Sequence, residues 1–109
     1  MKIIKKSGII PEQAHGGAGS RKLFVKENEV KNVQGITHGY LKPGGVFEWH
    51  KHDDCNECMY VLKGSGIVRD DAAEYPFKAG DFFIFPKGVF HEQRNTGSEN
   101  FEAVFIRTY

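Results

Sequence analysis

Gly44-Gly45-Val46-Phe47-Glu48-Trp49-His50-Lys51-His52-Asp53-Asp54-Cys55-Asn56-Glu57-Cys58-Met59-Tyr60-Val61-Leu62-Lys63-Gly64 is the stretch on which the reading of this chain turns. His50 and His52 flank a single residue, and Glu57 lies five positions beyond His52. Side chains alternate along a strand, so the two imidazoles share a face about 7 Å apart. At that spacing they can grip one ion. The polar turn from Asp53 to Asn56 lets Glu57 return on the next strand of a hairpin and close on the same ion.

A second stretch, Gly80-x5-Pro86-x-Gly88-x2-His91-x3-Asn95, supplies one more histidine. His91 is the candidate for the fourth ligand. Three nitrogens and one oxygen suit Mn, Fe, Ni, Co, Cu or Zn, and leave positions open for water or substrate. Four unpaired polar groups inside a β-barrel would otherwise cost several kcal/mol.

The two stretches resemble the two motifs of the cupin superfamily at every defining position, in the right order, from Gly44 to Asn95. The 15 residues between Gly64 and Gly80 are similar to the inter-motif spacing of small microbial cupins. The resemblance implies an all-β cupin jelly roll (a double-stranded β-helix barrel), with the ligands converging inside and reachable from one mouth.

The totals agree with a single domain over residues 1–109. Charged residues are 27% and hydrophobic residues 39%, as in ordinary globular chains. The net charge of +1 points to neither a nucleic acid nor an anionic membrane as partner. No apolar run reaches the roughly 18 residues of a membrane span. No apolar signal segment follows Met1, and Cys55 and Cys58 are too close to staple a loop, so a reduced cytoplasmic setting is expected. Thirteen glycines in 109 residues indicate many tight turns, the mark of a chain of short strands.

About ten strands are expected. Lys2–Lys6 reads as a short edge strand with lysines blunting it. Further strands are expected at 23–25, 35–41, 46–52, 57–62, 67–69, 74–77, 82–85 and 101–107. The run Phe82-Phe83-Ile84-Phe85, apolar on both faces, reads as a central strand covered twice. Strict alternation points Glu48, His50 and His52 inward and Phe47 and Trp49 outward. Tyr60 and Leu62 point outward too. An apolar outer face of Phe47, Trp49, Tyr60 and Leu62 predicts a homodimer packed sheet against sheet.

Alternation also makes Glu48 the candidate acid/base group, with pairing to Arg69, Arg107 or a lysine as its bland alternative. His38 and Tyr40 share a face of their strand and, with Gln93 beside His91, are candidates for contacting a small-molecule substrate. His15-Gly16-Gly17-Ala18-Gly19 is either a solvated loop between strands or a lid placing His15 at the mouth. It resembles an HGG-x-G segment of small cupins associated with metal-dependent decarboxylation of oxaloacetate-like acids. A structural zinc site of His50, His52, Cys55 and Cys58 has plausible spacing but leaves Glu57 and His91 unexplained.

One divalent transition metal beside a small cavity suits a substrate offering two oxygens, such as a 2-oxo acid or an enediol. Decarboxylation or isomerisation through a stabilised enolate follows for a lyase or isomerase, and dioxygenation with iron. A ligand-binding cupin without chemistry is the alternative.

Overall fold

The computed structural model describes residues 1–109 and is an all-β jelly roll of ten strands in two sheets. In chain order these are β1 Glu12–Ala14, β2 Gly19–Val25, β3 Val33–Leu41, β4 Val46–His50 and β5 Asn56–Lys63. β6 Ser65–Arg69, β7 Glu74–Lys78, β8 Phe82–Phe85, β9 His91–Arg94 and β10 Phe101–Thr108 follow. The larger sheet has the order β1-β2-β3-β10-β5-β8 and the smaller β4-β9-β6-β7. All pairings are antiparallel. No hydrogen-bonded ladder joins the two sheets, so side chains between them hold the halves together.

The period-2 pattern of β10 builds the interior in layers. Phe101, Ala103, Phe105 and Arg107 point inward, the first three buried. Ladder register puts Leu41 beside Phe101, Gly39 and Val61 beside Ala103, and Thr37 and Met59 beside Phe105. The next layer is Gly35, Arg107 and Glu57. One end of the space between the sheets is therefore an apolar core. It contains Leu41, Phe47, Met59, Val61, Val68, Phe77, Phe85, Phe101, Ala103 and Phe105. Each large side chain buried there contributes about 1.5–3 kcal/mol. The other end turns polar, and that end carries the site.

Gly64 sits at the tight turn between β5 and β6 with φ 87°, where a Cβ would stand 2.9 Å from the Asn100 carbonyl oxygen. Only glycine fits there. Asn95, the last residue of the second motif, is a buried clasp. Its amide donates to the Leu41 and Glu99 carbonyls at 2.8 Å, and its backbone exchanges hydrogen bonds with Gly44 and Gly45 at 3.0 Å. It ties the two motifs together and does not line the cavity of the site.

Several expectations are corrected. The N-terminal basic segment forms no strand; residues 1–5 are irregular and Lys6–Gly8 is a 3-10 turn. A short strand the sequence did not announce, β1, follows it. β8 is an edge strand, with Phe82 and Ile84 54% and 67% exposed, because the chain places no strand beyond it. The apolar outer face is split. Phe47 belongs to the core, and Trp49 lies outside the smaller sheet, stacked on Phe90 with the Arg69 guanidinium over its ring. Tyr60 and Leu62 lie outside the larger sheet, where Phe82 pairs with Tyr60 across the ladder and Ile84 lies two residues further along β8.

The cause on β4 is a bulge. Phe47 faces Gln93 and His50 faces His91, so three steps on β4 match two on β9. One extra residue breaks the alternation. Phe47 and His50 both point in, while Glu48 and Trp49 both point out.

Candidate metal centre

His50 ends β4, His52 follows it in the connecting loop, Glu57 is the second residue of β5, and His91 opens β9. The fold brings all four together: one ligand atom from each lies within 4.8 Å of the others. Two turns set this geometry. The Gly88 N–H donates to the His52 carbonyl at 2.7 Å, and the Lys87 N–H donates to Asn56 Oδ1 at 2.9 Å. The Pro86–Gly88 turn of the second motif is thus fastened to the loop of the first.

The imidazoles are set for coordination by their outer nitrogens. His91 Nδ1 lies 3.0 Å from the Val89 carbonyl, and His50 Nδ1 contacts the Glu48 carbonyl. A carbonyl only accepts, so each Nδ1 carries a proton and Nε2 is the ring atom turned toward the cluster. His91 Nε2 and His52 Nε2 are buried without a hydrogen-bond partner. The ring of His91 is further held by stacking on Phe85, with centroids 4.1 Å apart.

Glu57 completes the charge balance. Its carboxylate oxygens lie 3.5 Å from His52 Nε2 and 3.7 Å from His91 Nε2, charge contacts longer than good hydrogen bonds. Burial pushes the Glu57 carboxyl up, but the imidazoles of His52 and His91 outweigh it and hold it at about 2. The Glu57 carboxylate in turn raises His52 above its ordinary value. Burial lowers His50 below its ordinary value. Orphaned ring nitrogens converging on a buried carboxylate fit a divalent cation: three nitrogens and one oxygen, with room for further ligands.

The open side is a cavity of about 170 Å³. His15, Arg21, Thr37, Gln93, Phe105 and Arg107 are among its walls, together with His50, His52 and Glu57. His15 sits at the mouth with φ 52°, its ring 4.2 Å from that of Phe47 and 5.9 Å from that of His50. The segment around it is a 3-10 turn rather than a featureless loop.

The remaining candidates divide. Gln93 lines the cavity. Glu48 does not: the bulge turns it outward, where it is exposed, lines a separate surface cleft beside Trp49 and forms no ion pair. His38 and Tyr40 lie on the opposite face of β3 from Thr37 and Gly39, which line the cavity. Their rings stack at 4.5 Å, and His38 Nε2 meets Glu102 Oε1 at 2.9 Å. Parity on β3 explains this: once Thr37 points in, its neighbour points out. Cys58 lies on the outward face of β5, and neither it nor buried Cys55 joins the cluster of ligand atoms. Both thiols are raised above their ordinary value by burial. Arg21 and Arg107 are cavity residues that the sequence reading did not single out as such. The signal was the inward phase of β10, which runs through Phe101, Ala103 and Phe105 to Arg107.

Residues 37–107 match the family model of the cupin domain. The chain belongs to the cupins. The oxalate-binding protein of Thermotoga maritima is 31% identical over 110 residues, covering 95% of this chain and 91% of that protein. A solved structure from Thermotoga maritima, described as a predicted oxalate decarboxylase, superposes with a TM-score of 0.85 and 26% identity over 98% of both chains. A germin-like protein of Morus alba is 40% identical over 83 residues, 68% of this cupin. Those residues span 40% of the length of that plant protein. The His50, His52, Glu57 and His91 cluster can hold the divalent metal that cupins typically carry.

Proposed function

We propose that this cupin holds one divalent transition metal on His50, His52, Glu57 and His91 and acts on a small oxygenated acid. The observation that carries the reading is the pair of buried, partnerless Nε2 atoms on His52 and His91, aimed with Glu57 at one point beside a small cavity. When bound, the ion supplies Lewis acidity toward negative charge developing on substrate oxygens, the requirement shared by decarboxylation and enediol isomerisation.

The chain's own residues do the rest. Val89 and Glu48 carbonyls fix the ring orientations of His91 and His50. Phe47, Phe85 and Phe105 wall the site from bulk water on the core side. A volume of about 170 Å³ corresponds to roughly six waters, so the cavity takes an acid of a few carbons and no polymer. The oxalate-binding relative supports this ligand class.

A ligand-binding role without turnover is the second reading. The outward turn of Glu48 favours it, because it leaves the exposed His15 as the one imidazole outside the quartet that lines the cavity. One experiment separates the two. Metal-loaded protein is mixed with oxalate and with oxaloacetate, and carbon dioxide release is followed beside calorimetric binding. Release over many turnovers supports the lyase. Binding without release supports the binding protein. Neither binding nor release contradicts both.

The chain further acts as a homodimer in this proposal, packed through the outer face of the larger sheet. Tyr60, Leu62, Phe82 and Ile84 are 44%, 42%, 54% and 67% exposed there, adjacent on two paired strands. A contiguous apolar face of this kind is uncommon on a monomer.

A further inference from the structure

The cavity beside the quartet is lined by two arginines, Arg21 and Arg107. Arg107 occupies the inward position of β10 one layer beyond Phe105, level with Glu57 across the ladder to β5. It is half-buried, it forms no ion pair, and its Nε is buried without a hydrogen-bond partner. That buried N–H is left without an acceptor unless one enters the cavity. The backbone makes room for it. A Cβ on Gly35 would stand 2.7 Å from the terminal Arg107 nitrogen, so the side chain lies flat against β3 where only a glycine lets it.

Gln93 and Arg21 line the same cavity. Gln93, 1% exposed on the other sheet, has a partnerless Oε1. Its amide offers both donor and acceptor. Arg21 lines the same cavity nearer the surface, its charge shared with exposed Glu12 at 3.2 Å. A neutral sugar would leave Arg107 unpaired. A monocarboxylate held on the quartet would do the same. A small dicarboxylate satisfies both ends, because a guanidinium fork matches a carboxylate with two parallel hydrogen bonds.

We propose that Arg107, supported by Gln93 and Arg21, is the specificity-determining residue of the cavity and selects small dicarboxylates over monocarboxylates and neutral polyols. This rests on the reading of the cavity as the ligand site beside a metal. Carboxylate oxygens at one end of the ligand face the quartet, and those at the other end accept from Arg107. The cavity volume limits the chain between the ends to a few carbons.

The test is calorimetric binding of oxalate, malonate, acetate and glycerol to zinc-loaded native protein and to Arg107→Met and Arg107→Lys. Zinc has no redox chemistry of its own, so binding is read apart from oxidative turnover. Native protein is expected to bind oxalate and malonate at least tenfold more tightly than acetate or glycerol. Arg107→Met is expected to weaken the dicarboxylates by roughly 10- to 100-fold, the loss of a charged hydrogen-bonding partner, and to leave acetate little changed. Arg107→Lys keeps the charge without the fork and is expected to fall between. Zinc stoichiometry should be the same in all three. Equal affinity of native protein for all four probes, or oxalate and malonate affinities undiminished in Arg107→Met, overturns the proposal. If Arg107→Met does not fold, undiminished preference in Arg107→Lys together with Gly35→Ala, which displaces the guanidinium, overturns it equally. Failure to bind zinc while oxalate binding still depends on Arg107 would sink the metal reading and leave this one standing.

Discussion

Glu57→Gln should change how the metal-free protein responds to acid. The buried Glu57 carboxyl is held at about 2 against an ordinary value of 4.5. At 1.36 kcal/mol per pH unit this corresponds to about 3 kcal/mol of stability. The sign follows from linkage: a carboxyl depressed in the folded state stabilises above its unfolded value, and that contribution is lost as pH falls toward the folded value. His52, raised above its ordinary value by the same carboxylate, stays charged through this window. Native protein in excess chelator should therefore lose about 2 kcal/mol between pH 5.5 and pH 3 beyond what the variant loses, and about 3 by pH 2. Urea unfolding of both proteins at these pH values measures the difference. At pH 5.5 the variant should already be weaker by about 3 kcal/mol. Parallel stability curves for the two proteins would refute the reasoning, because Glu57 would then not be paired with the imidazoles in the absence of metal.

Metal uptake should release protons. His52 is raised above 6.5, so at pH 6.5 more than half of the metal-free molecules carry a proton on the imidazole that the ion must take. An indicator-dye titration with zinc should show release at pH 6.5 that falls as the pH rises; no release at pH 6.5 would count against His52 as a ligand. Glu48→Gln should leave zinc stoichiometry and oxalate affinity within twofold of native, since Glu48 is exposed outside the cavity; a tenfold loss in calorimetry would return it to the site. Ile84→Asp, at a position 67% exposed, should cost under about 1 kcal/mol in folding but convert a dimer to a monomer by sedimentation at micromolar concentration. A native chain that sediments as a monomer contradicts the interface.

The quartet was legible because its spacing encodes a mechanism: a strand alternation, a short polar turn and a second turn ended by His91. The all-β class was legible because glycines punctuate strand-length runs. What failed did so for physical reasons. Alternation predicts faces only while the ladder is regular, and the β4 bulge inverted Phe47 and misplaced Glu48. Parity alone left the direction of His38 and Tyr40 open; the inward phase of β3 is set by Thr37 packing beside Phe105 on β10. The apolar β8 run looked central because it is apolar on both faces, whereas strand order makes it an edge. Arg107 escaped notice because a charged residue at the end of an apolar strand reads as a solvated terminus until the register puts it level with Glu57.

The central claim is the metal on the quartet. Its most direct test is elemental analysis of protein purified without added metal, side by side with His91→Ala. The account predicts about one equivalent of Mn, Fe, Co, Ni, Cu or Zn in the native protein and its loss in the variant. Native protein that takes up no metal, even after soaking, or a variant that retains a full equivalent, would contradict it.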